Sequence, residues 1–230
     1  AWPGVWTRDL SYAAVLSLAW LDPQRCMNSL MEKVADGRII QDTGTGGAWP
    51  VSSDRVVWAL AAWEIYKYTG DREWLAAAFE VVRNSLTADS KTIIDPLTGL
   101  IRGESSFLDW RKQTYPLWME PSDIYGSLNL GTNAAYFQAL ITAGMMAREL
   151  GKEDMWSDRA TELRANINKH LWLDEKGYYG QYLYGRHFRS VSPRAEALGE
   201  AFTVLFGIAD DERKLKVLQN TPVTPFGITC

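Results

Sequence analysis

Histidine and cysteine are nearly missing from this sequence, with two of each in 230 residues. Cys26 and Cys230 show no metal-type spacing and frame no disulfide scaffold, so neither a zinc cluster nor a redox compartment follows from them. His170 and His187 fall in no HExxH pattern, and there is no GxSxG, no P-loop and no dinucleotide fingerprint. Zinc hydrolase, serine hydrolase and nucleotide-binding readings lose their usual signals, and the titratable chemistry that remains is that of carboxylates. No apolar run reaches membrane-spanning length, and Ala1-Trp2-Pro3-Gly4-Val5-Trp6 is not a signal peptide. The chain opens abruptly, as a piece of something longer would. A net charge of -4 with both signs mixed along the chain argues against nucleic acid and against a membrane surface as partners.

What the chain has in quantity is apolar and aromatic surface: 47% hydrophobic residues, eleven tryptophans and ten tyrosines. That is enough to bury one sizeable core. The aromatic rings serve either as core filling or as platforms in a cleft.

The apolar periodicity is helical and comes in pairs. After Thr7-Arg8-Asp9, a helix carrying Leu10, Ala13, Ala14, Leu16 and Ala19 is apolar or small nearly all round and is expected to be buried. Asp22-Pro23 stops it and starts an amphipathic partner from Gln24 to about Ala35. A return loop over 37–53 holds Gly44-Thr45-Gly46-Gly47-Ala48-Trp49-Pro50, too flexible for an element and too aromatic for a linker. Asp54 then opens a helix through Trp63 that ends at Gly70, and Asp71 caps an amphipathic helix to about Leu86. A third pair is predicted over 132–150 and 152–172, and a fourth over 194–208 and 210–220. Between those two pairs, residues 177–188 read as a hairpin-like insert. The repeat of buried helix, tight turn, amphipathic helix and long return loop predicts an all-α toroid of helical hairpins in a single domain, 1–230. Its long loops are expected to gather on one face with the inner-helix N-termini.

In the longest loop, Gly103-Glu104-Ser105-Ser106-Phe107-Leu108-Asp109-Trp110 follows a short hairpin at Ile93–Ile101. An aspartate there is either a turn former or an acid within reach of a ligand. Asp54 is either an N-cap or a rim carboxylate. Glu120 and Asp123 are either salt-bridge partners of Arg111 or ligand contacts. Glu196 and Glu200 sit where acids stabilise a helix start, and His187 is expected at the surface.

Trp6-Thr7-Arg8-Asp9 at the head of an inner helix, with Glu104-Ser105-Ser106-Phe107-Leu108-Asp109-Trp110 two hairpins later, resembles the six-hairpin, (α/α)6-barrel glycoside hydrolases. That company includes glucoamylases, glycogen-debranching glucosidases, processing α-glucosidases and trehalases. The resemblance implies an (α/α)6 toroid, here about four of six hairpins, and a carbohydrate substrate cleaved by carboxylate acid/base catalysis with inversion. Asp109 takes the position of the general acid. Trp6, Arg8 and Asp9 match the run that grips the hydroxyls of the sugar being cleaved. Trp49, Asp54, Glu104, Trp110, Arg111, Glu120 and Asp123 are further candidate substrate contacts, and Trp118 a candidate stacking ring. The motif departs from the processing α-glucosidases at Trp110, where they carry Asn, and at Phe107-Leu108, where they carry Gly-Met. The resemblance further implies a catalytic base in later hairpins, outside these residues.

An α-linked glucoside or related sugar is the expected substrate, with an α-L-rhamnoside as the alternative within the fold. No metal or cofactor is expected; the residues leave the compartment open, with the periplasm or the exterior ranked ahead of the cytoplasm. Rival readings on a similar toroid are a sugar epimerase, which needs histidine acid and base groups, and a polysaccharide lyase, which would draw on Arg8, Arg102, Arg111 and Tyr115. A non-catalytic carbohydrate-binding protein is the third.

Overall fold

The computed structural model describes residues 4–40, 54–105 and 115–228. These cluster in two compact units, one drawn from 1–44, 55–92 and 138–160, the other from 45–54, 93–137 and 161–230.

In the first unit, α1 (Thr7–Ala13) runs through a π-helical stretch, Ala14–Leu18, into a short α2 (Ala19–Leu21). Asp22 then accepts a hydrogen bond from the Arg25 N–H, and Pro23 sits where its missing donor costs nothing, so α3 (Pro23–Met31) starts at once. The fully buried helix expected at the start is corrected here. Ser11, Ala14 and Ala19 are buried, but Leu16 is 82% and Trp20 67% exposed. An all-round apolar pattern reports what a helix can bury, not which faces have neighbours. The second helix is also shorter than expected. Val34–Ala35 (β1) and Arg38–Ile39 (β2) pair as a hairpin, with Asp36 and Gly37 both at positive φ, and the Ile39 N–H donates to Ser85 Oγ at 2.9 Å.

After a 3-10 turn at Asp54–Val57, α4 (Trp58–Thr69) and α5 (Arg72–Asp89) form the second pair, joined by left-handed Gly70 and capped by Asp71, as expected. Trp58 is fully buried and donates its indole N–H to the Leu30 carbonyl at 2.9 Å, while Trp74 does the same to Ala62. Those two rings, 6.0 Å apart, settle part of the tryptophan excess as core. Arg55 pairs with buried Asp89 and donates to the Ile39 carbonyl, tying the 3-10 turn to α5 and the hairpin.

The second unit holds the remaining strands. A short α6 (Pro121–Tyr125) leads to β3 (Leu128–Asn129) and then to α7 (Leu130–Glu149), whose first residues belong to this unit and whose remainder belongs to the other. α8 (Ser157–His170) starts five residues later than expected, because Asp154 accepts from the Trp156 and Ser157 N–H groups and makes the cap there. In place of one hairpin insert there are two small sheets. β4 (Trp172–Leu173) pairs with β5 (Tyr178–Tyr179), while β6 (Tyr182–Tyr184) lies between β3 and β7 (Ser190–Val191), all antiparallel. α9 (Ala197–Leu205) and α10 (Asp211–Asn220) form the last helical pair, followed by a hairpin of β8 (Val223–Thr224) and β9 (Gly227–Ile228).

Candidate active site

The segment leading to Glu104 is held by side-chain amides. Ile94 and Ile101 bridge across a turn in which Gly99 takes a left-handed φ of 69°. Beyond it the chain runs straight into the sheet: Gly103 bridges to Leu128 in parallel and donates its N–H to the Ser127 carbonyl at 2.9 Å. Asn133, on the first turn of α7, accepts from the Ile101 N–H at 2.7 Å and donates to the Ile101 and Asn129 carbonyls at 3.1 and 2.8 Å. Asn129 donates to the Gly103 carbonyl at 3.2 Å and to Ser127 Oγ at 2.8 Å. Two buried asparagines thus act as strand substitutes, satisfying backbone groups that no neighbouring strand reaches.

The cluster at the end of this segment is acidic and buried: Asp54 is 4%, Glu104 2% and Glu196 2% exposed. The Ser105 hydroxyl donates to Asp54 Oδ2 at 3.4 Å. Glu196 is the cap of α9, accepting from the Leu198 and Gly199 N–H groups at 2.9 and 2.6 Å. Gly131, in the first turn of α7, is what lets these groups approach. A Cβ there would lie 3.2 Å from Ser105 Oγ and 3.5 Å from Glu196 Oε2. The starts of α7 and α9 therefore meet at Ser105, where their N-terminal dipole ends favour negative charge.

Tyr115 closes the cluster, donating its hydroxyl to Asn129 Oδ1 at 3.3 Å. Burial, then the Glu104 charge, push its phenol well above the usual range. One turn into α9, Glu200 is 2% exposed and its carboxyl is raised to about 8, chiefly by burial and further by the Glu196 charge, against the opposing Tyr179 N–H at 3.0 Å. It carries a proton at neutral pH. The sequence suggested only a helix-stabilising role for Glu200, and nothing in its spacing signals the strand that covers it.

The other candidates fall as follows. Trp6 precedes α1, and Arg8 pairs with Asp9 at 3.3 Å, the arginine side chain 22% and the aspartate 63% exposed. Glu120 is exposed at the head of α6, where Asp123 accepts its N–H at 3.1 Å. The partner of Asp123 among the described residues is Arg186, at 2.7 Å, which holds its carboxyl down at about 2. His187 is exposed. Trp49, Asp109, Trp110 and Arg111 lie outside the described residues. Among the described residues no group of three His, Cys, Asp or Glu side chains is arranged to hold a metal, and no helix is long and apolar enough to cross a membrane.

The fold is shared with solved glycosidases of several families. A family 78 rhamnosidase from Bacillus sp. GL1 superposes with a TM-score of 0.68 at 20% identity, covering 98% of this chain and 23% of its own. A family 63 mannosylglycerate hydrolase from Thermus thermophilus gives 0.72 at 16% identity, covering 96% and 70%. Neutral trehalase from Saccharomyces cerevisiae gives 0.60 at 14% identity, covering 96% and 57%. No curated protein matches in sequence. Residues 5–224 match the six-hairpin glycosidase domain of bacterial α-L-rhamnosidases, and the chain belongs to that family.

Proposed function

We propose that the protein hydrolyses a glycosidic bond by carboxylate acid/base catalysis with inversion, with Asp109 as the general acid. The observation that carries the reading is the family match over residues 5–224. It is supported by the buried carboxylates Asp54, Glu104 and Glu196, gathered at the end of the segment that precedes Asp109 in sequence. In the proposed reaction the bond from the anomeric carbon to the leaving oxygen breaks as Asp109 protonates that oxygen. Water attacks from the opposite face and gives its proton to a second carboxylate, at the roughly 6.5–9.5 Å separation that admits a water. Arg8 and Asp9 hold hydroxyls of the sugar and supply positioning. Given the family, α-L-rhamnosides are the first substrates to try, ahead of α-glucosides.

The rivals fit less well. A lyase needs a base with a lowered pKa, and the Tyr115 phenol is raised. An epimerase needs paired histidines, and His187 is exposed in a loop. The test is hydrolysis of 4-nitrophenyl α-L-rhamnoside, α-mannoside and α- and β-glucosides by the protein at its full natural length, beside Asp109→Asn. A loss of about 10²–10⁴ in rate is expected for the variant. Full activity in the variant would remove Asp109 as the acid, and no cleavage by the wild type would sink the hydrolase reading.

A further inference from the structure

Four aromatic rings of the second unit form a continuous series. It begins at Tyr115, whose hydroxyl donates to Asn129 Oδ1 at 3.3 Å and feels the charge of buried Glu104. The Tyr115 ring lies 5.1 Å from Tyr182, Tyr182 meets Tyr184 edge-on at 5.7 Å, and Tyr184 lies 6.3 Å from Trp118. Tyr182 and Tyr184 are two apart on β6 and so share one face of the sheet. Tyr115 is half-buried and Tyr182 buried, while the outer end is open, with Trp118 55% exposed.

Trp118 is exposed and also fixed. The Met119 N–H donates to the Pro116 carbonyl at 3.0 Å, closing a turn with Leu117 and Trp118 at its corners. Buried Met119 anchors the turn on one side, and Tyr184 backs the indole on the other. A tryptophan held out by its own turn spends little conformational freedom on binding a flat partner. In sequence, polar groups follow it: Glu120 is exposed, and Asp123, on the first turn of α6, holds Arg186. An apolar plate of this kind suits the C–H face of a pyranose ring.

We infer that Trp118 is the platform of an outer subsite that takes a second pyranose ring of the substrate, at the open end of an aromatic wall leading to Glu104. The ligand class rests on the hydrolase reading above; the platform itself rests on the ring geometry. It makes the substrate at least a disaccharide.

The test is calorimetric titration of the full-length protein with rutinose and maltose, each against its one-ring counterpart, methyl α-L-rhamnoside and methyl α-glucoside, and with 4-nitrophenyl α-L-rhamnoside. Release of reducing sugar is read on the same samples. In Trp118→Ala, the disaccharide bound by the wild type is expected to lose about tenfold in affinity, with the loss confined to two-ring ligands. Leu117→Ala, which changes the fully exposed neighbour, keeps the wild-type affinity. Equal losses for one-ring and two-ring ligands, no loss at all, or no binding of either disaccharide to the wild type would overturn the subsite. A loss seen with the nitrophenyl glycoside alone would assign the platform to an aryl group and overturn the pyranose. Binding in the expected pattern without cleavage leaves the subsite standing and removes the hydrolase reading; cleavage insensitive to Trp118 does the reverse.

Discussion

Glu200→Gln is expected to stabilise the protein in alkali and to leave it unchanged in acid. Burial raises the Glu200 carboxyl from 4.5 to about 8, with Glu196 adding to the shift and the Tyr179 N–H opposing it. The folded chain therefore holds this proton more tightly than the unfolded chain does. That contribution to stability is complete below pH 4.5 and is lost as pH rises through about 8. The gap between 4.5 and about 8, at about 1.4 kcal/mol per pH unit, makes the loss about 5 kcal/mol from one end to the other. A glutamine keeps the acceptor for the Tyr179 N–H and cannot ionise. Its amide replaces Oε2, which has no hydrogen-bond partner among the described residues.

Urea unfolding of wild type and variant at about pH 5, 7 and 9 reads the effect as a difference between two curves. This cancels His170, which burial and Lys169 hold below 6.5 despite Asp95 and which works in the opposite direction, favouring the folded state as pH rises. The two proteins should differ by less than about 1 kcal/mol near pH 5, and the variant should lead by several kcal/mol near pH 9. A difference that stays constant across the range, or a wild type that gains on the variant as pH rises, would refute the assignment of a protonated Glu200.

Arg189→Ala removes one of two arginines from Asp95, which is 1% exposed, and with it the donors to the Gly126 and Gly185 carbonyls at 3.0 Å. With Arg102 still in place and Arg189 partly in water, a loss of about 2 kcal/mol is expected in urea unfolding at neutral pH. Burial alone would raise Asp95, but Thr98, Arg102 and Arg189 outweigh it and hold its carboxyl below 3.8. The stability it confers is present above 3.8 and is lost as pH falls through the folded value, so the gap between variant and wild type should narrow in strong acid to the share of the two carbonyl hydrogen bonds. Asn133→Ala strips the partners from both polar groups of Ile101, at an expected cost of about 3 kcal/mol. Hydrogen exchange should show the Ile101 amide losing protection before the amides of α4 do.

The helical pairs were legible because each boundary is written in one or two residues: Asp22-Pro23, Gly70-Asp71 and Gly151 each stop or start a helix by local hydrogen bonding or by a positive φ. What the sequence hid is non-local. The surface of the first helix depends on which neighbours face it, and Leu16 and Trp20 read the same whether covered or bare. The start of α8 depends on Asp154, one of several polar residues that could have made the cap. The candidate site shows the same division. Glu104 and Asp54 stand out in the sequence as carboxylates beside small residues, whereas Asn129 and Asn133 look like ordinary helix-start residues until the chain at Ile101–Gly103 is seen to pass beside them. Their amides do there what a neighbouring strand would do. An amide matches the backbone pattern because it has a donor and an acceptor on one plane, and an aspartate at 133 could accept from Ile101 but not donate to it. Glu104 is thus oriented by hydrogen bonds to the backbone around it as well as by its own contacts, and a substitution thirty residues away in sequence can displace it.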